Sequence, residues 1–333
     1  MQDSNEKVLE VNHLKTHYYI NNESKAQAVD DVSFHVNQGE TVCIVGESGC
    51  GKSATALSIM QLISPEQGEI TSGSIILNGK ELTQLSMKEM GHVRGKQMSM
   101  IFQEPMTSLN PVLKIGSQMV EHMVKHEKIS KKEAVERAKQ LLELVGFSNI
   151  NEAINQYPHE LSGGMRQRVM IAIAMACNPQ LLIADEPTTA LDVTTQSHVL
   201  DVIDTMKRTF NSSVLLITHD LGVVADVADR VIVMYAGQIV EETITSELFN
   251  EPKHPYTVAL MKSMPTLNSD NERLYTIPGT VPPAHQLPKG CRFADRCSHT
   301  MDICKKINPD LLNTKDEHFV RCHLFTKEGN ANE

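Results

Sequence analysis

The stretch Gly46-Glu47-Ser48-Gly49-Cys50-Gly51-Lys52-Ser53 fits the pattern G-x-x-x-x-G-K-[ST] at every fixed position. Ahead of it, Thr41 to Val45 is a short apolar run that reads as a strand; behind it, Ser53 to Leu62 reads as a helix. In that setting the glycines let the backbone wrap a phosphate group so that several N–H groups point inward. The helix adds its positive N-terminal end. Lys52 can reach β and γ phosphates, and the Ser53 hydroxyl can sit on Mg²⁺. A glycine-rich turn with a solvated lysine is the bland alternative, and the strand–loop–helix context argues against it.

A second element lies downstream. Leu181-Leu182-Ile183-Ala184-Asp185-Glu186 is an apolar strand that ends in two carboxylates. That is what a metal-holding Asp185 and an adjacent base, Glu186, require: the first binds Mg²⁺, the second orients or deprotonates an attacking water. Val8 to Val11, Val29 to Val36, Ser74 to Leu77, Met98 to Phe102 and Val214 to Thr218 read as further strands. Ile115 to Lys125, Lys131 to Val145, Gly163 to Cys177 and Thr194 to Lys207 read as helices. Strands alternating with helices imply an α/β fold with a mostly parallel core sheet. The charged helical stretch in the middle reads as an insertion of about 60 residues. After about His254 the regular pattern weakens among many prolines, which reads as a loop-rich C-terminal extension, and the polar tail after Leu324 reads as frayed.

The 333 residues are 41% hydrophobic, enough for a substantial core, and carry a formal charge of −10 from 31 basic and 41 acidic residues. That balance argues against a nucleic-acid partner, which would need a basic face. No run approaches the roughly 20 apolar residues that span a bilayer. The polar start, Met1 to Lys7, lacks the apolar region of a signal peptide. The expectation is a cytosolic chain whose membrane role, if any, comes through a partner.

Leu161-Ser162-Gly163-Gly164-Met165, followed by Arg166-Gln167-Arg168, resembles the LSGGQ signature of ABC-type nucleotide-binding domains, with Met165 in place of the usual Gln. The resemblance spans residues 8–250 and implies a P-loop NTPase fold with an antiparallel β subdomain and a helical subdomain at about 104–165. It implies ATP and Mg²⁺ as ligands. Two such domains sandwich two ATP molecules head to tail, so Ser162, Gly163 and Gly164, at a helix N-terminus, would serve the partner's nucleotide. Gln103 matches the Q-loop glutamine, Ala190-Leu191-Asp192 the D-loop at the dimer interface, and His219 the switch histidine. With Glu186 and His219 both present, the resemblance implies a site competent in hydrolysis. A stacking aromatic for adenine comes from Tyr18 or Tyr19, with Tyr18 favoured by its spacing from Leu14.

Phe102-Gln103-Glu104-Pro105-Met106-Thr107-Ser108-Leu109-Asn110-Pro111, Thr218-His219-Asp220-Leu221, Met234-Tyr235-Ala236-Gly237, His254-Pro255-Tyr256-Thr257 and Ile277-Pro278-Gly279 are similar to segments of the ATPases of oligopeptide, dipeptide and nickel importers. Those matches carry the resemblance to about residue 325. They imply a nucleotide-binding domain at 1–254, an extension at 255–325 and a tail at 326–333. They further imply an ATPase subunit at the cytoplasmic face of the membrane, paired with a related F-type ATPase. Two transmembrane permease subunits and an extracellular substrate-binding protein would complete the machine. The cargo would be oligopeptides or dipeptides, with nickel or another small solute as alternative. A soluble ABC ATPase of translation or DNA repair is the rival, disfavoured by the single domain and the negative charge.

Cys291, Cys297, Cys304 and Cys322 gather four thiols in a short, core-poor region that could need a staple. In a reducing compartment disulfides explain them poorly. Four thiolates suit zinc or an iron–sulfur cluster, and unliganded structural thiols are a third possibility. The spacing is wider than in zinc ribbons, and some members of the resembled group hold a 4Fe-4S cluster at matching cysteines, so the resemblance implies that cluster.

Overall fold

Thr41–Val45 is buried at every position, as are Leu181–Asp185 and Ser213–Thr218. Strands covered on both faces need apolar residues throughout rather than in alternation, which is the pattern of a parallel sheet. The structure, a computed structural model, describes residues 6–21, 24–103, 108–189, 191–264, 275–315 and 317–326. Glu104 to Thr107, Ala190 and the tail after residue 326 lie outside the described residues.

In chain order the elements are β1 (Lys7–Tyr19), β2 (Lys25–Asn37), β3 (Thr41–Val45), α1 (Lys52–Ile59), β4 (Gly68–Leu77), β5 (Lys80–Glu81), α2 (Met87–Val93), β6 (Met98–Ile101), α3 (Ile115–Glu127), α4 (Lys131–Leu144), α5 (Ile150–Ala153) and α6 (Gly163–Met175). They continue with β7 (Leu181–Asp185), α7 (Val193–Phe210), β8 (Ser213–Thr218), α8 (Leu221–Val227), β9 (Arg230–Tyr235), β10 (Gln238–Ile244), α9 (Thr245–Asn250), α10 (Pro255–Lys262), β11 (Leu312–Lys315) and β12 (His318–Val320).

The chain packs as two units. The first takes the residues up to Leu9, His35–Thr41 and Ile76–Ile217. Its sheet runs β6-β7-β8, parallel throughout, with Met98 opposite Leu181 and Leu181 opposite Ser213. Helices α3, α4 and α6 pack on one another, and α6 also packs on α7. Their starts are well marked: Ser130 caps α4, Ser162 caps α6 and Asp192 caps α7 by accepting backbone N–H groups of the first turn.

The second unit takes Glu10–Phe34, Val42–Ile75 and the chain from Thr218 onward. One of its sheets has the order β2-β1-β4. The other begins with β3 parallel to β9, continues to β10 by an antiparallel pairing, and gains β12 and then β11, both antiparallel.

Several elements differ from the sequence reading. β1 runs far past Val11 because half-buried polar residues continue the pattern that the apolar run begins. α1 stops before Leu62, with Gln61 in a left-handed conformation (φ 49°) that no helix continues through. β9 and β10 were not foreseen; they turn at Ala236-Gly237, both at positive φ, a two-residue hairpin of the primed type. The segment after residue 255, expected to be loop-rich, contributes α10, β11 and β12.

Candidate functional site

The glycine-rich loop lies wholly in the second unit, between β3 and α1. Gly46 has φ 151°, and a Cβ there would lie 2.3 Å from the Met234 carbonyl oxygen. Gly51 has φ 106°, and a Cβ there would lie 2.4 Å from the Ala28 carbonyl oxygen. Neither position admits a side chain, so the loop backbone is drawn tightly against its neighbours. Gly51 is the N-cap of α1 and supplies no side-chain acceptor to the first turn. Those helix-start N–H groups face the loop, where an anion can accept from them.

Lys52 is 5% exposed. Its ammonium donates to the carbonyls of Gly46 at 2.6 Å and Glu47 at 3.2 Å. Neutral carbonyls satisfy its protons without cancelling its charge, so the ammonium stays available to phosphate oxygens. Cys50 is fully buried, and burial pushes its thiol pKa up against the opposing pull of Lys52. It packs as an inert small residue and is not poised as a nucleophile. Glu47 is the anchor of the loop: its N–H donates to the Tyr256 hydroxyl at 2.8 Å, and its carboxylate receives both terminal nitrogens of Arg296, at 2.8 and 3.1 Å. These two contacts were missed in the sequence: Tyr256 sits in a segment read only for its likeness, Arg296 in none, and neither is marked locally as a partner of a residue more than 200 positions away.

Of the adenine candidates, both tyrosines are half-buried on β1. The Lys25 ammonium already covers the Tyr19 ring at 5.3 Å from its centroid. The Tyr18 hydroxyl has its pKa raised by burial. His219 is exposed at the end of β8, followed by Asp220, which caps α8 through the Gly222 N–H at 2.8 Å.

The carboxylates lie in the first unit. Asp185 ends β7 and is 5% exposed. Glu186 follows in the left-handed region at φ 47°, held there by its N–H donating to the Ile217 carbonyl at 2.9 Å. A non-glycine residue at such a φ is unusual, and it turns the side chain away from the line of the strand. The Glu186 carboxylate accepts from Gln103 at 3.0 Å and from the Thr189 hydroxyl at 2.9 Å. Two candidate residues 83 positions apart are thus brought into contact, and Thr189 is an orienting partner that the sequence reading missed.

In the same unit Ser162 caps α6 by accepting the Met165 N–H at 3.3 Å. A Cβ on Gly164 would meet the Thr195 methyl at 2.6 Å, so the start of α6 lies directly against the start of α7. Asp192 accepts from the Thr195 N–H at 3.0 Å and its hydroxyl at 2.7 Å, bonds that hold its carboxyl below the usual range. Gly163 has open space beside it.

The four C-terminal cysteines do not form the expected 4Fe-4S site. Among the described residues no three His, Cys, Asp or Glu side chains converge so as to hold a metal ion. Cys291, Cys297, Cys304 and Cys322 line a cavity of about 10 Å³, room for about one water molecule. Burial pushes three of these thiols up: Cys297, Cys291 to about 11 and Cys322 to about 12. The segment is held by other means. β12 pairs with β10, and Arg321 donates to the carbonyls of Ile239 and Pro309 at 2.8 and 3.1 Å. His318 bonds the buried Glu241 at 2.7 Å, and Arg292 pairs with Asp30.

Comparison with known proteins agrees with this layout. Residues 29–189 match the family model described as ABC transporter, and residues 240–304 match that for the oligopeptide/dipeptide transporter C-terminal region. The oligopeptide transport ATP-binding protein AppD of Bacillus subtilis (strain 168) is 54% identical over 97% of this chain and 98% of the relative. The dipeptide transport ATP-binding protein DppD of the same organism is 48% identical over 96% of this chain and 95% of the relative. A dimeric structure of MJ0796, a bacterial ABC transporter cassette, superposes with a TM-score of 0.63 at 27% identity, covering 71% of this chain and 98% of the cassette. No described helix is long and apolar enough to cross a membrane. On these likenesses, which run along nearly its whole length, this chain belongs to the ABC transporter ATP-binding family and is an ATPase.

Proposed function

We propose that the chain powers an importer of oligopeptides or dipeptides, acting from the cytoplasmic face of the membrane beneath two permease subunits fed by an extracellular binding protein. The observation that carries this reading is the likeness along nearly the full length to peptide-transport ATP-binding proteins, including the region after residue 240. The partner ATPase in this proposal is a related F-type subunit, and the chain is read as 1–254 for nucleotide, with a helical subdomain at about 104–165, and 255–325 as an appended segment.

ATP is the substrate. The loop N–H groups and Lys52 bind its phosphates, and Tyr18 stacks on its adenine. The close packing at Gly46 and Gly51, which no side chain could share, supports a backbone shaped for that role. Ser53, Gln103 and Asp185 would hold Mg²⁺, which neutralises charge that develops on the transferring phosphoryl group. Glu186 positions the attacking water and takes its proton, with Gln103 and Thr189 fixing its carboxylate. His219 donates toward the γ-phosphate. Ser162, Gly163, Gly164 and Asp192 act across a dimer on the partner's nucleotide. Closing and reopening of that dimer moves the helical subdomain against the permeases.

Replacing Glu186 by Gln keeps the size and the bond to Thr189 but removes the base. Phosphate release should fall by roughly 10²- to 10³-fold while ATP binding persists. Unchanged turnover in Glu186→Gln would refute the assignment.

A further inference from the structure

Glu47 is held at each of its polar groups. Its carboxylate meets Arg296 in a two-pronged ion pair at 2.8 and 3.1 Å. The Arg296 side chain is only 6% exposed against 27% for Glu47. The remaining Arg296 donors are taken up: Nε by the Pro278 carbonyl at 2.7 Å, and Nη1 also by the Tyr235 hydroxyl at 3.2 Å. The guanidinium further rests on the Tyr235 and Phe293 rings. Such a fork is the strong, geometrically specific form of an ion pair. The Glu47 N–H goes to the Tyr256 hydroxyl at 2.8 Å, and its carbonyl receives Lys52 Nζ and the Cys50 N–H, both at 3.2 Å. The residue that seats the phosphate-binding lysine is thus pinned by two side chains that lie beyond residue 254.

A second tie reinforces the first. Arg292 donates to the Ala236 carbonyl and pairs with Asp30. The next residue, Gly237, donates its N–H to the Cys50 carbonyl at 2.8 Å and accepts from the Asp30 N–H at 2.8 Å. The loop is therefore braced at Glu47 directly by Tyr256 and Arg296, and at Cys50 by Gly237, whose neighbour Ala236 is in turn held by Arg292. Arg296 also neutralises a carboxylate that stands in a loop built to receive a polyanion, where an uncompensated negative charge would repel the ligand.

We propose that Arg296, with Tyr256, is a positioning residue for the glycine-rich loop, so that ATP affinity is set in part by the segment after residue 254. The proposal rests on the reading of that loop as the ATP site. It makes the segment a control point: whatever shifts Arg296 from Glu47 loosens the grip on nucleotide without touching it.

The test measures Mg-ATP binding to the purified full chain by calorimetry for the parent, Arg296→Gln, Glu47→Gln, the double variant and Lys52→Ala, with thermal midpoints without nucleotide as the fold control. Arg296→Gln should raise Kd about tenfold, the size expected for a charge-assisted bond. On the Glu47→Gln background, where there is no charge to neutralise, the same change should cost less than about twofold. Should Arg296→Gln not fold, Arg296→Lys keeps the charge without the fork and should weaken binding about threefold. Parent-like ATP affinity in the Arg296 variant, with Lys52→Ala binding none, overturns the proposal and leaves the ATP site intact. So does a full tenfold cost that persists on the Glu47→Gln background. A parent chain that binds no Mg-ATP would instead sink the reading of the loop itself.

Discussion

Acidification should destabilise this chain through one buried imidazole. His254 is 1% exposed and caps α10, its Nδ1 accepting the Tyr256 N–H at 3.0 Å. An accepting nitrogen must be unprotonated. Burial, the dominant cause, pulls its pKa down from 6.5 to about 4. In the unfolded chain the ring titrates at its ordinary value, so between about pH 6.5 and 4 the unfolded state binds the proton and the folded state does not. Stability then rises with pH over that window and is lost as pH falls through it. With those two values, the loss attributable to His254 is about 2 kcal/mol between about pH 7 and 5, and about 3 kcal/mol by about pH 4. Urea unfolding at several pH values, for the parent chain and for His254→Asn, isolates the effect, because Asn can cap the same helix without titrating. Glu241 adds a separate loss lower down: burial tends to raise its pKa, but bonds from His318 and from the Lys253 and His254 N–H groups outweigh this and hold it below 4.5. Its contribution is present above that value and fades beneath it. If His254→Asn shows the same fall in stability between about pH 7 and 5 as the parent, the argument from burial is wrong.

Gly51→Ala puts a methyl 2.4 Å from the Ala28 carbonyl at φ 106°, and should cost about 2–4 kcal/mol and abolish nucleotide binding. Gly49→Ala, with nothing within 4 Å at φ 80°, should cost only about 1–2 kcal/mol of backbone strain by thermal denaturation. Arg230 and Glu242 form an ion pair with side chains 11% and 8% exposed. Arg230→Met removes the guanidinium from a nearly buried carboxylate and should destabilise by about 3–5 kcal/mol in urea. Cys291 and Cys322, with pKa values of about 11 and 12, should resist alkylation by iodoacetamide in the folded chain near about pH 8 and react at once in denaturant. Fast labelling of folded protein would contradict thiols held protonated.

The parts of the fold that could be read in advance share one property: their information is local. β3, β7 and β8 announce themselves because a strand covered on both faces must be apolar throughout. The signature at Ser162 and the carboxylates after Ala184 are likewise contiguous. β10 escaped because it carries Gln238, Glu241 and Glu242, all buried. Gln238 is satisfied by Asp30 and Asn308, Glu241 by His318 and backbone N–H groups, and Glu242 by Arg230, all contributed from elsewhere. The hairpin at Ala236-Gly237 needed two positive φ angles, and only the glycine hints at one. The cysteines misled for the converse reason. Their spacing is compatible with a shared metal, but whether four thiols converge depends on distances that spacing does not contain.

By itself the sequence determined the family and the loop: among eight consecutive residues, Gly46, Gly49 and Gly51 set a backbone shape through their own conformational limits. Only the tertiary structure decided what holds that shape in place. Tyr256 and Arg296 reach Glu47 across 209 and 249 positions of chain, and the thiols that suggested a metal staple instead line a small cavity beside strands and buried arginines that tie the segment down. Contacts at such separations arise from how the elements pack, and they leave no period, run or motif in the linear order.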